Sequence, residues 1–279
     1  MGRNVRTTSM SPRNLAPGAF AGAAEAYAEY RPPYPRRMLD DLLARAALGS
    51  RDALLDLATG PGRIALDLAP SFERVVAIDV EPEMIAVAQA AAARRGIDNV
   101  AWRVGRAEDL DIPAASFDLI TIGEAFHRLQ QSVIARKALD WLSPGGCLAT
   151  MGSDGRFSGD EPWEVALREV RGRWLERAFP DGWGLALPGQ SDEQKAREQV
   201  LREAGFVEVQ GHDLDEDLEQ PFDAIVGYLM STSVCSRRAL GGDFDAFASE
   251  LRDALGVDDS THFRESIRWG YTLARKPTG

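Results

Sequence analysis

The segment Asp56 to Gly62, DLATGPG, sets a turn of small residues between an apolar run, Ala53 to Leu57, and a helical pattern opening at Arg63. A second apolar run, RVVAID (Arg74 to Asp79), follows. Strand, glycine turn, helix and strand in that order make a βαβ unit, whose strands are parallel and need helices to cover them. The alternation continues through a helix opened by Pro82 and closed by Gly96, strands over 99–104, 117–122 and 146–152, and a helix over 132–141. Beyond residue 152 it weakens. Helices are expected over 162–179, 191–204, 222–230 and 244–255, and a strand begins at 206–209. FRESIRWGYTLA (Phe263 to Ala274) alternates apolar and polar residues as a half-exposed strand does.

Composition narrows the function classes. The 43 acidic against 32 basic residues give a net charge of −11, the wrong balance for neutralising a phosphate backbone, so no nucleic-acid partner is expected. No apolar run has the length of a membrane span. Cys147 and Cys235 show neither metal-ligand nor redox spacing, no metal site is expected, and no signal-type apolar stretch follows the basic N-terminus. The expectation is a cytoplasmic protein. Its segments read as a disordered tail (1–18), an N-terminal helical lid (19–50), a ligand-binding core (51–152) and a C-terminal part (153–279) that carries helical insertions and the last strands of the same domain.

The turn and the acid after the second strand carry the chemistry. Gly60 and Gly62 let a ligand approach the main chain, and Asp79, nineteen residues after Gly60 at a strand end, is placed to accept hydrogen bonds from the two hydroxyls of a ribose. The bland readings are a tight turn and a helix cap. A pyrophosphate-binding turn has a third glycine where the helix begins, and Ile64 and Ala65 stand there instead. Asp56 at the mouth of the turn repels a pyrophosphate and suits the ammonium of an amino-acid tail.

DLATGPG resembles the first motif of class I S-adenosylmethionine (SAM) dependent methyltransferases, and VVAIDVEPEMIAVAQ their ribose-binding segment. GRAEDLDIPAASFDLIT is similar to the adenine-side loop and fourth strand, and LSPGGCLAT to the fifth strand and the turn before it. YAEYRPPYP, with a histidine just after strand four, resembles small-molecule methyltransferases of the UbiE and trans-aconitate type. The resemblance implies a Rossmann-like α/β fold: a seven-stranded sheet, mostly parallel with the last strand antiparallel, and helices on both faces. It also implies SAM as cofactor and a small-molecule acceptor methylated at oxygen, nitrogen or carbon by in-line displacement. Asp56, Ala58 and Gly60 would line the methionine part, Asp79 hold the ribose, Val80 and Met84 pack on adenine, and Ala107 and Glu108 border its amino edge. Gly123 and Glu124 would face the methyl group, while Tyr27 and Arg31 close the pocket. Ala58 and Thr59 replace the glycine and cysteine of the commonest motif, and His127-Arg128 a frequent His-Trp.

Each role has a bland counterpart: Met84 as core, Glu108 as a solvated acid, Glu124 as a cap, Arg31 as a surface charge. Trp174 reads as core, with Trp163 and Trp183 open between core and an acceptor lid. His127 is the candidate general base, because an imidazole titrates near neutrality, against a reading as pocket wall. Two other function classes stand beside the methyltransferase: a nicotinamide oxidoreductase, and a non-catalytic SAM-binding interaction module.

Overall fold

The structure, a computed structural model, describes residues 22–49, 51–180, 190–258 and 260–278. Strand β1 (Ala53–Leu57) is buried along its whole length, with Leu54 turned to one side of the sheet and Leu55 and Leu57 to the other. A strand apolar on both faces belongs at the centre of a sheet covered by helices. β1 pairs in parallel with β2 (Arg74–Asp79) on one edge and with β4 (Phe117–Gly123) on the other. β3 (Val100–Val104) lies outside β2, and β5 (Leu142–Ser153) outside β4. β7 (His262–Arg275) runs antiparallel between β5 and β6 (Val207–Pro221), which gives the order β3-β2-β1-β4-β5-β7-β6. Six strands run one way and β7 the other, as the resemblance implied. The chain winds outward from β1 to β3 and then returns to place β4 at β1's other side. The carboxyl ends of β1 and β4 therefore diverge at a switch point, where this class of sheet opens a crevice.

Helix α2 (Arg36–Ala46) carries Met38, Leu39, Leu42, Leu43 and Ala46 on one stripe, and all five are buried. With α3 (Arg63–Leu68) it covers one face of the sheet. The helices α5 (Gln131–Trp141) and α7 (Gln190–Ala204) cover the other. Within the segment expected to be a lid, α2 is thus a wall of the core, and only α1 (Ala24–Tyr30) lies across the strand ends, against α4 (Pro82–Arg95) and α8 (Phe222–Met230). A separate apolar layer joins α6 (Pro162–Ala178), α8 and α10 (Phe244–Ala254) around Phe157, Trp174 and Phe247. A short α9 (Arg237–Leu240) precedes α10. No described helix is long and apolar enough to cross a membrane.

The largest departure from the sequence reading is β6. The expected strand began at 206–209, but β6 continues to Pro221 through DLDEDLEQ. Asp and Glu are poor strand formers. Here they lie on an edge strand, and Asp215 and Asp217 pair across to Arg268 and Arg264 of β7. β7 leaves β5 at Trp269, so its residues 262–268 pair with β6 alone and carry Phe263 into the helical layer. The tail 1–18 and Trp183 lie outside the described residues.

Asp118, on β4, accepts hydrogen bonds at Oδ2 from the amides of Asp52 (2.9 Å) and Ala53 (3.1 Å) and so fastens the start of β1. Asp118→Ala leaves two amides without their partner, one of them buried, at a cost of about 1–3 kcal/mol. The fall is read from urea unfolding; a wild-type midpoint would show that solvent replaces the carboxylate.

Candidate active site

Two adjoining cavities open at the carboxyl ends of β1 and β4. The first is walled by Asp56, Ala58, Gly60, Arg63 and Gly123, with Tyr27 and Tyr34 closing it. The second shares Tyr27, Tyr34 and Arg63 and adds Arg31, Glu124, Ser153, Arg156, Tyr228 and Trp269.

Asp56 is buried, with 1% of its surface exposed. Thr121 Oγ1 on β4 donates to its Oδ1 (2.6 Å) and Thr59 Oγ1 to its Oδ2, so the carboxylate joins β1, β4 and the turn. Burial pushes its pKa up to about 6, against the opposite pull of the two hydroxyls. Asp79 closes the other side of the turn. Its Oδ2 accepts from the Gly60 amide (2.7 Å) and its Oδ1 from the Glu81 amide (2.9 Å), and burial raises its pKa as well. Two carboxylate oxygens held in one orientation at a strand end are what a vicinal diol needs as acceptors. Beside them Val80 is 40% exposed, an apolar surface open to a flat ring.

Ala58 (φ 52°) and Glu124 (φ 51°), one residue beyond the ends of β1 and β4, both hold left-handed backbone. A side chain there costs about 1–2 kcal/mol, and such strain gathers at ligand sites. Gly60 (φ 56°) has open space where a Cβ would stand. At Gly123 a Cβ would strike Ile64 Cδ1 and Tyr34 Oη. The absence of that side chain lets the Tyr34 hydroxyl lie against the end of β4, between the two cavities.

The methyltransferase domain family model matches residues 54–146, from β1 into β5. Nocamycin O-methyltransferase of Saccharothrix syringae is 31% identical over 226 residues, covering 74% of this chain and 76% of that one. The chain belongs to the class I SAM-dependent methyltransferases. The uncharacterized methyltransferase YcgJ of Bacillus subtilis is 30% identical over 138 residues, and there the match spans 50% of this chain and 51% of that protein. A solved structure from Anaeromyxobacter dehalogenans shares the fold, with 24% identity, a TM-score of 0.60 and coverage of 89% of this chain and 98% of that one.

Of the residues that the methyltransferase resemblance singled out, Asp56, Ala58, Gly60, Gly123 and Tyr27 meet around the first cavity, with Asp79 bonded to its rim. Arg31 and Glu124 line the second cavity. Glu124 does not cap α5, whose N-cap is Gln130; its Oε1 accepts from the Ser153 amide and hydroxyl, both at 2.8 Å. Arg31 is no surface charge: its Nε donates to Ser231 Oγ (3.0 Å) and its guanidinium lies on the rings of Tyr27 and Tyr228. Met84 and Ala107 are buried. Glu108 accepts from the Gln130 amide (3.1 Å) and pairs with Arg106, a structural use of its carboxylate.

His127 lines neither cavity. It lies in a short 3₁₀ turn, exposed as a residue, and Arg128 Nε donates to its Nε2 (3.2 Å). Desolvation by the surrounding chain, then the charges of Arg128 and Arg197, bring its pKa down to about 4. Its lone pair is engaged by an arginine and its basicity is low, both unfavourable for taking a proton. Trp174 is core, as expected, with Nε1 donating to Glu250 (2.7 Å). Trp163 packs on Phe157 and Phe263 rather than on a cavity.

Sequence reasoning missed Tyr34, Arg63, Arg156, Tyr228 and Trp269. Tyr34 stands inside the RPPYP stretch and Arg63 directly after the glycine turn, so both had a local signal. The others come from segments remote in sequence and had none.

Ala58→Gly relieves the left-handed strain and costs the entropy of a glycine, about 0.5–1 kcal/mol. The expected net result is unchanged or slightly raised stability, by at most about 1 kcal/mol. Chemical denaturation checks it; a clear loss would mean that the Ala58 methyl group is itself packed.

Proposed function

We propose that the first cavity binds SAM and that its methyl group passes to a small-molecule acceptor in the second. The observation that carries this reading is the pair of buried carboxylates across one glycine turn, with the second cavity joined to the first through Tyr27, Tyr34 and Arg63. Asp56 suits the ammonium of the amino-acid tail, and Asp79 the ribose diol, with Val80 beside it for adenine. A pyrophosphate fits badly, because the buried Asp56 faces it with negative charge.

When bound, SAM supplies a methyl group on a sulfonium, displaced in line as the sulfur becomes a neutral thioether. The chain's own contribution is position and dryness. Tyr34, fixed over Gly123, and α1, tied down by Arg63 through the carbonyls of Tyr27 (3.0 Å) and Ala28 (2.8 Å), close the space between the cavities. Glu124 Oε1 is committed to Ser153, which leaves Oε2 as the carboxylate oxygen nearest in function to a proton acceptor on the second cavity's wall.

S-adenosylhomocysteine is expected to raise the melting temperature and NAD at equal concentration to leave it unchanged, since only a ligand of the native state stabilises it. The sign of the pH dependence follows from Asp56. Its pKa is about 6 in the free protein, and an ammonium beside it favours the ionised form and lowers that value in the complex. Affinity therefore falls as pH drops through about 6, approaching tenfold per unit. Calorimetric titration from pH 5 to 8 tests this, and Asp56→Asn flattens the profile. Constant affinity across the range in the wild-type protein would separate Asp56 from the ligand.

His127 is expected to play no part as a base. Its imidazole is expected to titrate near 4 when followed by NMR, and His127→Gln is expected to keep turnover far above the loss of about 10²–10⁴-fold that removal of a general base brings. A midpoint near 6.5 together with such a loss would restore it as the base.

A further inference from the structure

Arg156 is the one guanidinium at the second cavity that is wholly enclosed by protein; its side chain is 2% exposed. Its Nε donates to both oxygens of Glu265 at 2.8 Å, and its Nη2 to Glu265 Oε2 and to Gln220 Oε1 (3.0 Å). The Phe157 and Tyr228 rings lie against the guanidinium, 4.7 and 4.5 Å from its central carbon. Glu265 is saturated, because it also accepts from the Phe157 amide and Gln220 Nε2 at 2.9 Å. Arg156 Nη1 has no partner.

An ion pair that only stapled the segment after β5 to the β6–β7 hairpin would have no use for that third nitrogen. A buried N–H group without an acceptor is costly. In a planar guanidinium with its Nε and Nη2 committed and aromatic rings against it, Nη1 is the edge left over, and Arg156 lines the cavity. Charge points the same way. Arg31, on the same Tyr228 ring at 4.7 Å, and Arg63 are the other cations of this wall. Of the residues lining this cavity, Glu124 is the one carboxylate, with Glu265 paired to Arg156 behind the wall.

We infer that the acceptor is an anion whose carboxylate docks on Arg156 Nη1 in the second cavity, with Arg31 supplying the surrounding positive charge. This rests on the methyl-transfer reading above and names the acceptor's chemical class. A carboxylate matches the free edge of a guanidinium. Tyr228 and Trp269 offer flat apolar surface for the rest of the molecule.

The test uses the full chain saturated with S-adenosylhomocysteine. Hydroxybenzoates, hydroxycinnamates and aliphatic hydroxy acids are each titrated beside their neutral amides by calorimetry. The wild-type protein is expected to bind at least one acid about tenfold or more tighter than its amide. Arg156→Lys keeps a cation beside Glu265 and removes the unpartnered Nη1. The paired Arg156→Met/Glu265→Met variant removes both buried charges, so that neither is left alone. Both variants are expected to lose the acid preference and to bind S-adenosylhomocysteine as the wild-type protein does. The proposal falls if no acid is preferred over its amide, or if the preference survives in both variants. Loss of S-adenosylhomocysteine affinity in the variants overturns it too, by assigning Arg156 to the donor cavity. A wild-type protein that does not bind S-adenosylhomocysteine at all overturns the methyl-transfer reading first, a result distinct from these.

Discussion

The hydrogen bonds from Thr121 and Thr59 to Asp56 join three parts that the chain builds separately: the end of β1, the neighbouring β4 and the glycine turn. A carboxylate buried at 1% exposure survives only where such donors meet it. Its position also settles the polarity of the first cavity, because Asp56 points to the same side of β1 as Leu54 and stands where that apolar face ends. Everything around it follows from keeping that group solvated by protein. The turn must be tight enough for Thr59 to fold back, and β4 must lie in parallel register with β1, with Thr121 opposite Asp56. Asp79 must then hold the Gly60 amide from the other side.

Strain is distributed in the same place. Ala58 and Glu124 occupy left-handed backbone just past two adjacent parallel strands, and the surrounding packing has to outweigh that cost. Glu124 is pinned by Ser153 of β5, and the Ala58 turn by the Asp56 and Asp79 carboxylates on either side. The two cavities are thus walled by strand ends whose geometry is fixed by neighbours in the sheet, while α1 and α8 supply Tyr27 and Tyr228, which face them. A rigid floor and a helical cover meet the positional demand of an in-line displacement, for which alignment counts more than acid–base strength.

The fold was legible because its signals are local. Apolar runs flanked by glycine and proline marked the strands from β1 to β4 almost to the residue and β5 from its middle onward, since β5 begins at Leu142, and the alternation in FRESIRWGYTLA marked β7. β6 was only half visible. Its acidic run is a strand through the arginines of β7, and a pairing partner more than forty residues away leaves no trace in strand propensity. Asp56, Ala58, Gly60 and Asp79 were legible for the same reason as the fold, since they sit on one strand-turn-helix unit and the strand beside it. His127 lines neither cavity, because nearness in sequence to the end of β4 does not tell which way a turn directs a side chain. The 3₁₀ turn gives its Nε2 to Arg128.

By itself, the sequence determined the parallel sheet, the places of its first five strands along the chain and the residues gathered at the glycine turn, all of which depend on residues close to one another in the chain. Only the tertiary structure decided the second cavity. Arg31, Arg156, Tyr228 and Trp269 come from the end of α1, the segment after β5, α8 and β7, and long chain separates each from the next. What unites them is the return of β7 between β5 and β6, which carries Glu265 and Trp269 over the crevice and gives Arg156 a buried partner. An arginine in a sequence is a surface charge by default. Burial against a carboxylate more than a hundred residues away makes Arg156 a wall of the second cavity.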